Sequence, residues 1–257
     1  MAKTPKNRPE NAAAPVNVIC MKWGTKYGPE YVNRLYRGVT RHLSRPHRFV
    51  CFTDDATGID PRVEIRPLPS LGLPPGPERG WLKLATFAPT LADLEGVTLF
   101  LDVDVIITGS LDVFFEPAGP FYIMRDFNPR SDKVGNSSVY RFVIGAHPSV
   151  LSDFVADFEK VKREHRNEQE YLTAAVERLG VLDYWPADWA VSYKKRCIPK
   201  FPKSLWTTPA KPADTRIVIF HGNPKPEEAM IGTGNKWYRP ALAAPWVREA
   251  WYGDESG

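Results

Sequence analysis

The stretch LFLDVDVIITGSL, residues 99–111, decides how this chain reads. Three apolar residues run into Asp102, Val103 separates it from Asp104, and β-branched residues follow at once. An ionised carboxylate is costly to bury unless something pairs with it. Two of them in a strand that reads as core leave two alternatives: a strand end that meets water by accident, or a pair that holds a cation. Residues i and i+2 of a strand face the same way, so Asp102 and Asp104 are expected to aim at one point while Val103 turns into the core. Hard oxygen donors of this kind suit Mg2+ or Mn2+, and a single histidine nearby favours Mn2+. Two carboxylates do not complete an octahedral shell, which leaves room for substrate phosphates.

Outward from that stretch, strand and helix signals alternate. Val16 to Met21 reads as a first strand, and PEYVNRLYRGVTRHL follows with Val32, Leu35, Val39 and Leu43 on one helical face. HRFVCFTDD and VEIRPL read as further strands, and WLKLATFAPTLADL as a helix feeding the strand VTLFLDVDV. FYIMRD and SSVYRFVIGA read as strands, SVLSDFVADFEKV and NEQEYLTAAVERL as helices, and RIVIF as the strand that closes the sheet. This order predicts an α/β fold: a Rossmann-like, mostly parallel mixed sheet with helices on both faces. Ligands of such sheets bind at the carboxyl ends of strands, where Asp54, Asp55, Asp102, Asp104, Asp126 and His221 all fall.

The 257 residues are expected to form one domain over 16–257, after a disordered tail over 1–15 that has no apolar run of a secretory signal. No segment approaches the roughly 20 apolar residues of a membrane span. Cys20, Cys51 and Cys197 lie far apart, which suits reduced thiols in a cytoplasm and neither a disulfide framework nor a zinc site. The net charge of +4 is too mild to point to nucleic acid. Its distribution is uneven, however. Between Asp188 and Asp214 there is no acid, while Lys194, Lys195, Arg196, Lys200, Lys203 and Lys211 interleave with Tyr193, Phe201 and Trp206. This is either a solvated basic face or a surface for an anionic partner, such as a phosphorylated ligand or lipid head groups.

Asp-x-Asp alone is a common pattern, but its context is specific. LFLDVDVIITGSLDVFF resembles the signature of GT-A-fold glycosyltransferases, most closely the family of bacterial lipopolysaccharide galactosyltransferases and glycogenin. Five further stretches match that family in order: KWGTKYGPEYVNRLYRGV, RGWLKLATF, NSSVYRF, NEQEYLT and GNPKP, over roughly residues 16 to 230. The resemblance implies transfer of a hexose from a nucleotide sugar, UDP being the expected nucleotide, to a glycan or lipid-linked acceptor of a bacterial surface polysaccharide. It implies that Asp102 and Asp104 bind the divalent cation, with Asp102 also near the ribose. Lys225 would neutralise the diphosphate and Gly222 would let the backbone approach it. Asn136 and Gln169 would contact the donor sugar, Arg79 and Lys83 would lie near its phosphates or sugar, and Tyr27 or Trp23 would stack on the base.

The chain departs from the family pattern at several of these places. The metal-binding histidine three residues before the glycine is here Ile219, which leaves His221 as the candidate third ligand. Asp-Gln becomes Glu168-Gln169, and Glu168 is also a candidate base for an inverting reaction. Lys22 stands where an acid follows the opening strand. A haloacid-dehalogenase-type phosphohydrolase shares an Asp-x-Asp after an apolar strand but opens with it, and a nucleotide-sugar-binding domain without turnover is the other alternative. The basic aromatic stretch and the C-terminal KWYRPALAAPWVREAWYG add an expectation of peripheral contact with an anionic membrane, at the cytoplasmic face of an inner membrane.

Overall fold

Seven strands in the order β3-β2-β1-β4-β7-β6-β8 form the central sheet. The computed structural model describes residues 15–71, 79–127, 133–234 and 240–253. Apart from Pro15, the expected N-terminal tail lies outside them. The strands β1 (Val16–Lys22), β2 (His47–Thr53), β3 (Glu64–Pro67) and β4 (Val97–Leu101) run parallel to one another. The sheet turns antiparallel where β7 (Gly135–Val143) pairs with both β4 and β6 (Phe121–Arg125), and β8 (Asp183–Tyr184) adds a short parallel edge. This is the mostly parallel mixed sheet expected from the sequence.

All seven residues of β1 are buried, as a central parallel strand covered on both faces must be. Its alternate side chains divide between two cores. Val18 and Cys20 pack with helix α1 (Pro29–His42), and with Ala229 and Met230 of α5 (Pro226–Ile231) and Val247 and Trp251 of α6 (Pro245–Tyr252). Ile19 and Met21 pack on the other face with α2 (Ser149–Ala156), α3 (Phe158–Glu164) and α4 (Glu168–Arg178). The three cysteines are buried and free. Among the described residues no helix is long and apolar enough to cross a membrane.

Four segments differ from expectation. The opening stretch does not continue as one strand: β4 stops at Leu101, residues 102–104 turn, and β5 (Val105–Ile107) joins a second sheet. That small sheet has the order β5-β10-β9, with β9 at Ala190–Ser192 and β10 at Ile217–Ile219, so RIVIF closes it and not the main sheet. The helix expected at WLKLATFAPTLADL is a 3₁₀ segment, Arg79–Phe87, stopped before Pro89. In it Thr86 Oγ1 donates to the Lys83 carbonyl at 2.7 Å. SVLSDFVADFEKV breaks at Asp157, whose side chain accepts from the Lys160 amide and caps α3.

Arg141 on β7 fixes the loop after the carboxylate stretch. It is 3% exposed; Nη1 donates to the Phe114 carbonyl at 3.0 Å and Nη2 to the Gly119 carbonyl at 2.8 Å. Its guanidinium also lies 4.6 Å from the Tyr122 ring centre. Replacing Arg141 with Leu removes two charge-assisted bonds and strands two carbonyls, so unfolding free energy should fall by roughly 3 kcal/mol in chemical denaturation. A loss under about 1 kcal/mol would show that residues 112–119 are held by other contacts.

Candidate functional site

The end of β4 opens into a cleft of about 560 Å³. Residues 21–27, which carry β1 into α1, form one wall, and Asp102, Val103 and Asp104 form the base. Lys83, Ser138 and Glu168 border one side, and His221 and Gly222 close another. Asp102 and Asp104 therefore share one cavity, though from a turn between two sheets and not from one strand. Val103 is buried in the core between them, as expected.

Each carboxylate has its own ammonium partner. Lys83 Nζ lies 2.7 Å from Asp102 Oδ1 and 2.9 Å from Oδ2, and also reaches the Ser137 carbonyl at 3.4 Å. Glu168 completes this group: its Oε1 accepts from Ser137 Oγ at 2.7 Å and stands 3.9 Å from Lys83 Nζ. Burial pulls the Lys83 ammonium down, but Asp102 and Glu168 more than offset it and hold the lysine above its ordinary value. Gly80 faces Glu168, whose Oε2 lies 3.1 Å from where a Cβ on that glycine would sit. The carboxylate occupies that space.

Asp104 is bound through Tyr27. The Tyr27 hydroxyl donates to Asp104 Oδ2 and accepts from Lys225 Nζ at 2.7 Å, with Lys225 Nζ 3.6 Å from the same Oδ2. Lys225 also lies 4.5 Å from the Tyr27 ring centre, and Tyr31 packs against that ring at 4.8 Å. Tyr27 thus serves as a bridge in this arrangement, while Trp23 stands half-buried on the same wall. Burial and the neighbouring Asp102 push the Asp104 carboxyl up, and burial lowers the Lys225 ammonium. Three carboxylates, Asp102, Asp104 and Glu168, stand beside Lys83 and Lys225, and Lys22 and Lys26 line the same cleft.

The paired oxygen donors fit a divalent cation at Asp102 and Asp104. His221 lines the same cleft but is engaged elsewhere: Nε2 lies 2.6 Å from Ser192 Oγ, and the ring stacks on Phe127 at 5.6 Å. Among the described residues no three His, Cys, Asp or Glu side chains gather closely enough to hold an ion together. Burial, with Lys194 and Lys195, pulls the His221 imidazole down to about 4, so it is neutral near pH 7. Lys194 donates to the His221 carbonyl at 2.6 Å. Gly222 has φ +77°, a conformation that favours glycine, and a Cβ there would meet only Lys194 Nζ, at 3.4 Å.

Other residues singled out in the sequence fall at different distances from this cleft. Asn136 is buried at the start of β7, where its Oδ1 accepts from the Ser138 amide at 3.1 Å. Gln169 lies half-buried in the first turn of α4, next to Glu168 but not on the cleft wall. Arg79 begins the 3₁₀ segment, and its side chain lies outside the described residues. Lys22 donates to the Asp55 carbonyl at 3.3 Å, and Asp54 accepts from the Gly24 amide at 2.9 Å, so these residues shape the loop behind Tyr27. Ser138 stands where the family's Asn-Ser-Gly carries glycine, whereas Ser192 has no counterpart in the sequence reading. Ser137 and Ser138 stand in the NSSVYRF stretch, but nothing local marks Ser192.

No family model matches the chain, and no curated protein matches it significantly. Its fold does have solved counterparts. A crystal structure of the galactosyltransferase LgtC with donor and acceptor sugar analogues aligns with a TM-score of 0.55 at 12% identity, over 82% of this chain and 88% of that one. An active-site mutant of LgtC aligns with a TM-score of 0.59 at 12% identity, over 91% of this chain and 94% of that one. The architecture is thus the GT-A-type, Rossmann-like one that the sequence motifs implied.

The Lys83–Asp102 pair is testable by a double-mutant cycle. Lys83→Met should cost roughly 2–3 kcal/mol of stability, and adding Asp102→Asn should recover at least about 1 kcal/mol of it. Strictly additive losses would mean that the two charges do not depend on each other. A second test uses pH. Unfolded imidazole takes its proton near 6.5 and folded His221 only near 4, so the unfolded chain binds the extra proton between them. Stability should therefore fall as pH drops through that window, by on the order of 2 kcal/mol after allowing for partial exposure. Asp104 acts in the opposite sense, because its raised carboxyl protonates first in the fold. Comparing wild type with His221→Gln in metal-free buffer isolates the histidine, and equal pH slopes would contradict its neutral state.

Proposed function

We propose that this chain is a glycosyltransferase that moves a hexose from a nucleotide diphosphate sugar, with UDP as the nucleotide, to a glycan or lipid-linked acceptor of a bacterial surface polysaccharide. The observation that carries this reading is the placement of Asp102 and Asp104 at the base of one cleft, each beside a lysine, on a fold shared with a galactosyltransferase. The five further family-like stretches in the sequence support it, because each supplies a cleft residue: Tyr27, Lys83, Ser138, Glu168 and Gly222.

In this reading Asp102 and Asp104 hold Mn2+ or Mg2+, with His221 as a candidate third ligand. When bound, the cation supplies Lewis-acid neutralisation of the leaving diphosphate. Lys225 presents its ammonium to the same phosphates, and Gly222 leaves the backbone open to them. Lys83 keeps Asp102 ionised and oriented. The family resemblance gives Arg79 a role near the donor's phosphates or sugar, and Tyr27 or Trp23 meets the base. Glu168, fixed by Ser137 and Lys83, accepts hydrogen bonds from the donor sugar, and the family resemblance adds Asn136 and Gln169, which stand beside it, to the sugar end.

Calorimetric titration of UDP with and without Mn2+, repeated on Asp104→Asn, tests the proposal. Binding should require the metal and should weaken at least about tenfold in the variant, the loss of one charged ligand being worth 1.4 kcal/mol or more. With a UDP-hexose and a competent acceptor, Lys225→Ala should cost on the order of 10²–10³ in turnover. Weak binding that is the same under all conditions would overturn the nucleotide-sugar reading.

A further inference from the structure

Three of the seven large apolar side chains that stand exposed among the described residues fall within six positions: Phe201 at 68%, Leu205 at 48% and Trp206 at 65%. Most exposed apolar residues occur singly and need no explanation, but a cluster at one loop tip does. The loop is not loose. Its base is closed by the Ala210 amide donating to the Cys197 carbonyl at 3.0 Å. Its tip is a short 3₁₀ turn, Lys203–Leu205, in which the Leu205 amide reaches the Pro202 carbonyl at 3.0 Å and Thr207 reaches that of Lys203 at 3.0 Å. Ser204 is buried beneath. The backbone therefore holds the three apolar side chains in water at a continuous cost.

The same loop is cationic. Lys195, Arg196, Lys200 and Lys203 are exposed around it, and no acid occurs between Asp188 and Asp214. Arg196 pairs with Asp188, which leaves the lysines to set the sign of the surface. We infer that the loop Ile198–Trp206 is a docking surface for the anionic face of a lipid bilayer, with Phe201, Leu205 and Trp206 entering the head-group region and Lys195, Lys200 and Lys203 meeting its charge. Aromatic side chains favour that interface, and basic residues bind anionic lipid near its surface. A purely apolar partner would not call for the lysines, and an acidic polymer would not call for the exposed apolar groups.

The structure moves this role away from the C-terminal segment. There Trp251 is buried and donates to Glu227 at 3.2 Å, Val247 is buried, and Trp246 donates to the Pro209 carbonyl at 2.9 Å. These aromatic residues pack into the domain; Lys236, Trp237, Tyr238 and Arg239 lie outside the described residues. The inference does not rest on the transferase reading. It is compatible with it, because β9 leads straight from Ser192, which touches His221 at the cleft, into Lys194 and the basic loop.

Co-sedimentation with phosphatidylcholine vesicles, with and without about 30 mol % phosphatidylglycerol, tests the surface. The full chain should sediment with the anionic vesicles and be released as salt rises. Phe201→Ser combined with Trp206→Ser should reduce the bound fraction roughly tenfold, and Lys200→Gln with Lys203→Gln should remove the dependence on anionic lipid. Leu179→Ser, an exposed apolar control elsewhere, should bind as wild type. All these positions are exposed, and matching thermal melts would confirm that the variants fold. Absence of vesicle binding, binding indifferent to anionic lipid, or binding unchanged in both double variants would overturn the inference. So would a lipid-free dimer that depends on Phe201 and Trp206 and leaves vesicles unbound.

Discussion

Two carboxylates one residue apart at the base of a half-closed cleft repel each other, and the surrounding residues are arranged around that repulsion. Each acid has recruited a lysine from a distant part of the chain, Lys83 for Asp102 and Lys225 for Asp104. Glu168 adds a third carboxylate beside Lys83, and Lys22 and Lys26 line the same cleft. Burial first, and then the charge of Asp102, raise the Asp104 carboxyl. A polar cluster of this kind is a poor way to stabilise a fold, since apolar residues of similar volume would do as well or better. Its presence is better understood as preparation for a ligand.

The fold supplies the place for that pair by changing sheets there. Leu101 is the last residue of a buried central strand, and Val105 begins another sheet with a different set of neighbours. The three residues between have no ladder partner to satisfy, apart from the Asp102 amide bound to the Ser138 carbonyl at 2.9 Å. Read from sequence, residues 97–107 are one apolar run, and nothing local marks the point where it leaves the sheet. Both descriptions put Asp102 and Asp104 on one cavity, so their convergence does not depend on a continuous strand. The same ambiguity explains RIVIF: an apolar five-residue strand fits either sheet by composition, and only pairing with β5 and β9 decides.

What the sequence made legible was what depends on local pattern. The parallel strands, α1 with its proline in the first turn, and the Asn167 cap of α4 all follow from periodicity and capping chemistry. Partnerships across long separations were not legible. The contact of Lys225 with Tyr27 spans 198 positions, and Ser192 with His221 spans 29, with ordinary residue types on both sides. The aromatic residues of α6 show the same limit from the other direction. Their composition suits a membrane interface, but their spacing also suits a helix that buries Val247 and Trp251, and tertiary packing chose the second.

Glu168 shows how such partnerships shape one side of the cleft. The motif it stands in resembles one that carries the shorter aspartate, so its extra methylene has to be housed. Gly80 leaves the space, and Ser137 fixes the carboxylate through Oε1 at 2.7 Å. A Cβ at position 80 would lie against Oε2 and push the acid toward Lys83 or into the cavity. Gly80, Ser137 and Glu168 are therefore one unit, contributed by the 3₁₀ segment, β7 and α4. Shortening the acid alone would leave Ser137 and Lys83 facing a gap on the order of one methylene, and buried polar groups tolerate such gaps poorly. Selectivity among hexoses that differ in one hydroxyl rests on just such paired groups, since a site built to bond a hydroxyl rejects a substrate lacking it far more strongly than an apolar pocket can.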